Sequence, residues 1–104
     1  MDTIEKKTLL KKALDTLGEE FQLMLLVEEC GELLQAISKA YRGKPGSVDS
    51  IQEEIADVQL MLDQVKLIYD ENEINRIMEQ KLIRLKSRLE DITSTNERML
   101  KTLV

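Results

Sequence analysis

Two pairs of acidic residues stand at the same spacing within otherwise apolar helical segments of the sequence. Glu29 and Glu32 are three residues apart in "EECGELLQAI", and Glu54 and Asp57 are three residues apart in "EEIAD". Residues three apart in an α-helix share a face, so each pair would present two carboxylates in one direction. Carboxylate oxygens are the ligands that hard divalent cations such as Mg²⁺ prefer. The spacing predicts a metal site if both pairs face the protein interior.

The helical period places the first acidic pair on the apolar side of its helix. At about 100° per residue, Glu29 and Glu32 fall within one apolar stripe. The other members of that stripe are Leu25, Ala36 and Ala40. Burying an ionised carboxylate without a partner costs several kcal/mol, so a helix of this kind needs a compensating positive charge.

The second pair lies on the apolar side of the next helix. Glu54 falls within the stripe and Asp57 just outside it, whereas Glu53 and Asp63 point elsewhere. The other members of that stripe are Ile51, Val58, Met61, Val65 and Ile68.

Two Mg²⁺ ions would balance the charge of four converging carboxylates. Two alternatives stay open: internal lysines and arginines neutralise the acids, or the acids extend into solvent from ragged amphipathic faces.

Three basic side chains are candidates for binding a phosphate chain beside such a site. Lys81 falls on the apolar stripe of a later helix, and Arg84 lies at its edge. Lys39 lies beyond Glu32 on the same side of the second helix. Cations that face an acidic metal site suit a ligand that bridges metal and protein. The alternative is structural, because long basic side chains often line helix interfaces and pair with glutamates.

Glycine, proline and polar clusters divide the chain into four helical segments. Gly18 follows the first segment as a C-cap, "RGKPGS" separates the second from the third, and "DENE" separates the third from the fourth. Asp49, with Gln52 three residues later, is the predicted N-cap of the third helix. The tail, residues 92–104, either ends the fourth helix or forms a short fifth one. The predicted helices cover roughly residues 3–17, 19–42, 50–70 and 73–91.

The sequence shows neither strand alternation nor an internal repeat. The helical periods therefore predict an all-α, four-helix bundle-type fold in a single domain, residues 1–104. Aromatic residues make up only 3% of the chain, so large side chains for a closed monomeric core are scarce. We therefore expect the chain to associate with itself, as a homodimer or a homotetramer.

Composition excludes several classes of function. The net charge of -5 argues against a nucleic-acid-binding surface, which needs clustered basic residues. One cysteine, Cys30, and no histidine exclude a zinc site and a disulfide within the chain. The charged start "MDTIEKK" is unlike a signal peptide, and no apolar run is long enough to span a membrane. We expect a cytoplasmic protein that binds neither nucleic acid nor membrane.

The two acidic pairs together match a known pattern. Glu29-Cys-Gly-Glu32 fits E-x-x-E, and after a spacer Glu54-Ile-Ala-Asp57 fits E-x-x-D. This arrangement resembles the MazG-like, all-α nucleoside triphosphate pyrophosphohydrolases, a superfamily that also contains dimeric dUTPases and phosphoribosyl-ATP pyrophosphatases. The resemblance covers roughly residues 20–90, and "KLIR" in the fourth helix is similar to the family's K-F-x-R stretch.

The resemblance implies an enzyme that uses Mg²⁺, or Mn²⁺, to hydrolyse NTPs or dNTPs to a monophosphate and pyrophosphate. Such an activity would suit removal of unwanted nucleotides from the cellular pool. The implied metal ligands are Glu29, Glu32, Glu54 and Asp57. A carboxylate that is not fully committed to metal could accept the proton of the attacking water, and Glu29 or Glu32 is the candidate. The resemblance also implies that Lys81 and Arg84 lie near phosphates.

Two alternatives to this interpretation remain. Within the enzyme class, a dimeric dUTPase-like specificity is the second choice, and Phe21, Tyr41 or Tyr69 could stack on the base. Outside it, the chain would be a non-catalytic helical interaction or regulatory protein whose acids only solvate one face. A divalent metal should raise the melting temperature of the enzyme and leave that of the interaction protein unchanged.

Overall fold

The computed structural model describes the backbone of residues 1–103, and all of their side chains except those of Ser47 and residues 99–103. Within that part of the chain there are four α-helices, one short 3₁₀ turn and no strand. The helices are α1 (Thr3–Leu17), α2 (Glu19–Tyr41), α3 (Ser47–Val65) and α4 (Glu71–Leu103), and the 3₁₀ turn is Lys66–Ile68. The predicted all-α class is confirmed.

The chain divides into two compact units. The first, Met1–Tyr69, contains α1, α2 and α3, and the second begins at Asp70 and contains α4. In the first unit α2 packs along α3, and α1 contacts both. Because the connection between α2 and α3 is short (residues 42–46), these two helices form an antiparallel hairpin. The hairpin brings the two helices that carry the acidic pairs side by side.

The first helix begins and ends where its sequence predicts. The Asp2 side chain accepts a hydrogen bond from the Glu5 N–H at 2.8 Å, which satisfies one of the free donors at the helix start. Gly18 has a φ of 88°, a conformation that glycine adopts without strain. Its N–H donates to the Leu14 carbonyl at 2.8 Å. The predicted C-cap at Gly18 is confirmed.

The third helix starts earlier than the sequence predicts. Asp49 was the expected N-cap, but α3 begins at Ser47 and the cap position is Gly46, whose φ of 77° is left-handed. Asp49 lies instead in the first turn, where a negative charge is favourable beside the positive end of the helix. At its other end α3 stops at Val65, and a 3₁₀ turn replaces the last part of the predicted helix.

The apolar core of the first unit is small. Its buried apolar side chains are Leu10, Leu14, Ala36, Met61 and Val65. Other large apolar side chains are exposed, among them Val27 at 63% and Leu34 at 69% on α2. The helices of this unit therefore leave much of their apolar surface uncovered. In the described part of the chain, no helix is long and apolar enough to cross a membrane.

The last helix is longer than predicted. It follows Asp70, whose side chain accepts a hydrogen bond from the Glu73 N–H at 3.2 Å, and it continues to Leu103. The tail therefore extends α4 and does not form a fifth helix. Neither glycine nor proline interrupts this segment. The Thr95 hydroxyl donates to the Asp91 carbonyl at 2.9 Å, a local bond with which threonine is accommodated inside a helix.

Candidate metal centre

Three carboxylates of the α2–α3 hairpin converge: Glu29 on α2, and Glu54 and Asp57 on α3. We call these three residues the acidic cluster. One oxygen of each lies within 4.8 Å of the others, and all three side chains are half-buried. Glu54 and Asp57 share a face of α3 because they are three residues apart, and the hairpin places Glu29 opposite them. The structure brings together three of the four carboxylates that were predicted to meet.

Two oxygens of the acidic cluster are buried and lack a hydrogen-bond partner among the described residues. They are Glu29 Oε2 and Glu54 Oε2. Buried polar atoms of native proteins are nearly always satisfied, so each exception needs a physical explanation. An unsatisfied carboxylate oxygen is an open ligand position, and a set of oxygen ligands suits a hard cation such as Mg²⁺. The residues present therefore fit a divalent metal ion.

The surroundings raise the pKa of both glutamates of the acidic cluster. For Glu29 the largest cause is desolvation, and the negative charges of Glu32 and Asp57 come next. For Glu54 desolvation again raises the pKa most, and the same two neighbours follow. A raised pKa means that the folded protein alone disfavours the charged carboxylate. A divalent ion would reverse this preference, because its positive charge stabilises ionised ligands.

The fourth predicted ligand, Glu32, occupies a different position. Its side chain is exposed, and it does not belong to the set of carboxylates that lie within 4.8 Å of one another. Its negative charge still raises the pKa of Glu29 and of Glu54. Glu32 is therefore adjacent to the acidic cluster and accessible from solvent.

A polar pocket of about 330 Å³ opens beside the acidic cluster. Glu32 and Glu54 line one part of it, and Lys39, a predicted phosphate-binding residue, lines another. Two further lining residues, Gln35 and Ser50, were not predicted from the sequence. Their spacing in the sequence could have indicated them. Gln35 follows Glu32 by three residues and Ser50 precedes Glu54 by four, so each shares a helix face with a predicted ligand.

The other two predicted phosphate-binding residues belong to the second unit. Lys81 and Arg84 are exposed and lie three residues apart on α4, so they share a face of that helix. Residues 81–88 contain basic side chains at positions 81, 84, 86 and 88 and no acidic one. A segment of this charge attracts anionic ligands.

The all-α fold agrees with what a comparison with known protein families finds. The family model of the MazG nucleotide pyrophosphohydrolase domain matches residues 17–88. The match covers more than half of the chain and includes both acidic pairs. The chain belongs to this family. Neither the curated proteins nor the solved structures contain a significant match to this MazG chain.

The acidic residues that were predicted to point away from the two acidic pairs lie outside the acidic cluster of this MazG domain. Glu53 is exposed, and Asp63 forms an ion pair with Lys6 of α1 at 2.7 Å. Gly31 lies in the middle of α2, where glycine is less favourable than alanine by about 1 kcal/mol. Among the described residues, nothing lies within 4 Å of the place where its Cβ would be. Packing within the described chain therefore does not explain this glycine.

Proposed function

We propose that this protein is a metal-dependent nucleoside triphosphate pyrophosphohydrolase, which cleaves the bond between the α- and β-phosphates. One observation carries the proposal: two helices of a MazG domain present three converging, half-buried carboxylates with two orphaned oxygens. If the acids were structural partners of internal lysines and arginines, these oxygens would be paired. Within the described residues, neither Glu29 Oε2 nor Glu54 Oε2 has a hydrogen-bond partner.

Mg²⁺ is the proposed cofactor, with Mn²⁺ as its substitute. The proposed ligands are Glu29, Glu32, Glu54 and Asp57. When bound, the ion supplies positive charge that screens the triphosphate and lets a nucleophile approach phosphorus. The carboxylates hold and orient the ion, and their raised pKa values in the protein alone are the expected property of ligands that await a cation.

The reaction is a hydrolysis at the α-phosphorus. A water oxygen forms a bond to that phosphorus, and the bond to the oxygen that bridges the α- and β-phosphates breaks. The electron pair of this bond leaves with pyrophosphate, and the nucleoside monophosphate remains. We assign the role of general base to Glu32, because it is exposed beside the acidic cluster and, unlike Glu29, is not one of the three converging carboxylates. Its carboxylate accepts the proton of the water and later releases it to solvent.

Three basic residues are proposed to contact the phosphates of the substrate. Lys39 is supported by its place in the pocket that Glu32 and Glu54 also line. Lys81 and Arg84 are supported by their exposure on one face of α4 and by the similarity of "KLIR" to the family's stretch. Lysine binds phosphate as a point charge, and arginine binds it through a planar fork. Both kinds of contact would offset negative charge on the departing pyrophosphate.

We also propose that the protein works as a homodimer or homotetramer. On α2, the exposed side chains Val27, Leu34 and Tyr41 are spaced by seven residues and so form a row on one face. On α4, Leu82 and Leu89 are exposed at the same spacing. Apolar rows of this kind usually mark an interaction surface. Light scattering should show a dimer or tetramer, and a stable monomer at micromolar concentration would contradict the proposal.

The enzymatic proposal is tested by measuring pyrophosphate release from a panel of NTPs and dNTPs, with dUTP included. We expect monophosphate and pyrophosphate in equal amounts with Mg²⁺, and none when the metal is chelated. Turnover of dUTP alone would establish a dUTPase-like specificity. Release of single phosphate with a diphosphate would contradict cleavage at the α–β bond. No turnover, together with a melting temperature that does not change when Mg²⁺ is added, would favour the alternative of a non-catalytic interaction protein.

A further inference from the structure

We infer that α4 pairs with the α4 of a second copy of this chain as a parallel, two-stranded coiled coil. The inference rests on the proposed self-association and adds to it the helix, the direction and the register of the contact. It does not depend on the proposed enzymatic activity. The paired segment continues past residue 88, where the match to the family model ends.

A stripe with a seven-residue repeat runs along α4. Its members are separated alternately by three and by four residues, which is the spacing of the a and d positions of a heptad. We call the following residues the α4 seam: Asn75, Met78, Leu82, Leu85, Leu89, Ile92 and Asn96. The same spacing continues in the sequence at Met99 and Leu103. An apolar heptad repeat that is sustained over three to four heptads is typical of a coiled coil.

The apolar side chains of the α4 seam are exposed in the single chain. All five are about half exposed, from 49% for Met78 to 57% for Leu82. A contiguous apolar surface of this kind marks an interaction site. A seven-residue repeat keeps such a stripe facing one partner helix along a left-handed supercoil, whereas on a straight helix it drifts by about 20° per heptad. The repeat therefore favours another helix as the partner.

A second α4 matches the α4 seam in length. The helix has 33 residues, and the next longest helix that the structure describes, α2, has 23. At a rise of 1.5 Å per residue, α4 is about 50 Å long. Among the described helices, only another α4 covers a stripe of this length from end to end. The occupant that we assign to the seam is therefore a second copy of the chain.

The two asparagines decide the direction of the pair. Asn75 and Asn96 occupy a positions at the two ends of the α4 seam. In a parallel pair in register, each meets its own counterpart, and their amides donate to and accept from each other. In an antiparallel pair, a positions face d positions, which are Met78, Leu85 and Ile92. Each amide would then be buried without a partner, so the parallel pair is favoured, and asparagine at a specifies its register.

The charges beside the α4 seam oppose this pair at one place only. Lys81 at a g position would lie near Lys86 of the second copy at an e position. Both side chains are exposed, so water and salt screen the repulsion and its cost is small. Past residue 88, the flanking positions Thr93 and Thr95 are uncharged. The pairing is therefore least opposed in the segment outside the match to the family model.

Disulfide trapping of the full-length protein tests the inference. Cys30 is exposed, so every variant also carries Cys30→Ser. In a parallel pair in register, Leu89→Cys brings two thiols within reach of a disulfide, which needs Cα atoms about 4.4–6.8 Å apart. Ile83→Cys is the matched control, because Ile83 is a 59% exposed apolar residue of α4 outside the seam. With oxidised glutathione, Leu89→Cys should form linked dimers about tenfold or more faster than Ile83→Cys.

Two further variants measure the strength of the contact by analytical ultracentrifugation. Leu89→Asp should weaken self-association about 100-fold or more, because it places two charges in one apolar layer. Ile83→Asp should change it by less than about threefold. Circular dichroism should show the same helical content in both. Equal effects of the two variants on self-association would contradict the inference.

A double variant tests the role of the asparagines. Replacing both Asn75 and Asn96 with leucine should tighten the association and allow antiparallel pairs, because asparagine at an a position specifies register at a cost in stability. In a mixture of Leu85→Cys and Leu89→Cys chains, an antiparallel pair would appear as a disulfide between the two kinds of chain. Asparagines that only solvate the surface would leave both the affinity and the direction unchanged, which would contradict their assigned role.

The inference and the proposed function fail in different ways. A wild type that stays monomeric at micromolar concentration overturns the proposed self-association and the inference with it. An oligomeric wild type in which Leu89→Cys links no faster than Ile83→Cys overturns only the inference, and the seam then binds another partner, such as a helix with acidic flanks. Disulfides formed only between Leu85→Cys and Leu89→Cys chains, with both asparagines present, would mean that the proposed direction is wrong. None of these outcomes depends on hydrolysis of a triphosphate.

Discussion

Glutamates in two regions of the molecule respond in opposite ways to their surroundings. In the acidic cluster, desolvation and neighbouring carboxylates raise the pKa of Glu29 and Glu54. At the start of α4, Arg76 donates a hydrogen bond to Glu73 at 2.9 Å and lowers the pKa of that carboxyl. The difference separates an acid whose charge an arginine of the same helix offsets from acids whose charge no described basic side chain offsets, as the proposed metal site predicts.

A third acid shows that lysine pairing is available within the same unit. Asp63 lies on α3, six residues beyond Asp57, and Lys6 of α1 pairs with it at 2.7 Å. The first unit therefore supplies a lysine to an acidic residue of α3, the helix that also carries Glu54 and Asp57. Yet Glu29 Oε2 and Glu54 Oε2 have no partner among the described residues. This contrast with Asp63 supports the proposed role of the two glutamates as metal ligands.

The largest expected effect distinguishes adjacent glutamates of α3. Glu54→Gln should reduce Mg²⁺-dependent pyrophosphate release by about 100-fold or more, because loss of a group that only supports a metal ligand already costs about 10–100-fold. Glu53→Gln should change it little, since Glu53 is exposed and outside the acidic cluster. Circular dichroism should show the same helical content in both. Equal losses in the two variants would mean that the assignment of faces on α3 is wrong.

The next effect is stabilisation of the folded protein by metal. Mg²⁺ at about 100 times its dissociation constant should raise the free energy of unfolding by about 2.7 kcal/mol, because it binds only the folded state. Denaturant unfolding with Mg²⁺ and with a chelator measures this difference. Glu54→Gln should lose it and Glu53→Gln should keep it. No difference in the wild type would contradict metal binding by Glu29 and Glu54.

Without metal, the acidic cluster should destabilise the protein as the pH rises. Since the pKa values of Glu29 and Glu54 are raised from 4.5, the folded protein keeps protons that the unfolded chain has released. The penalty is absent below pH 4.5 and grows as the pH rises through the folded-state values. The double variant Glu29→Gln, Glu54→Gln removes both groups. With the metal chelated, it should be more stable than the wild type, increasingly so at higher pH.

Unfolding curves of wild type and double variant over a range of pH values measure that difference directly. Glu73→Gln is the comparison, because its lowered pKa gives the opposite sign: its contribution is present above pH 4.5 and is lost as the pH falls. A double variant that is less stable than the wild type at neutral pH would mean that Glu29 and Glu54 are structural. The interaction-protein alternative would then be preferred.

The smallest effect belongs to the paired acid of the first unit. Lys6→Met should lower the free energy of unfolding by only about 0.2–1 kcal/mol, because an ion pair that is partly exposed is screened by water. It should leave both turnover and the response to Mg²⁺ unchanged. A loss of turnover in Lys6→Met with the fold intact would show that the paired and the unpaired acids do not act independently.

Much of the fold and of the acidic cluster could be predicted from the sequence. The 3.6-residue period predicted the helix faces on which Glu29, Glu54 and Asp57 lie. The short connection predicted that α2 and α3 are antiparallel. Gly18 ended α1 where its permissive backbone allowed a turn. These features depend on local chemistry and on one short connection, so the sequence contains them.

Other features depend on packing that the sequence does not specify. Glu32 shares the predicted stripe with Glu29, but Glu32 is exposed and Glu29 is half-buried. Exposure within one stripe depends on how the neighbouring helix packs against it, which the helical period does not describe. Gln35 and Ser50 were missed because a pocket is a space between helices, and helical periods do not describe it. The helix α4 is longer than the predicted segment, because the polar residues near its end favour a break in sequence but are accommodated within the helix.

Binding of Mn²⁺ tests the central claim most directly, namely that the acidic cluster is left unpaired for a metal. The electron spin resonance signal of free Mn²⁺ disappears on binding and can be titrated with wild type, Glu54→Gln and Glu53→Gln. We predict saturable binding to the wild type and to Glu53→Gln, with Mg²⁺ as a competitor, and a loss of affinity of about 100-fold or more in Glu54→Gln. The absence of saturable binding to the wild type, or equal affinity in both variants, would contradict the account.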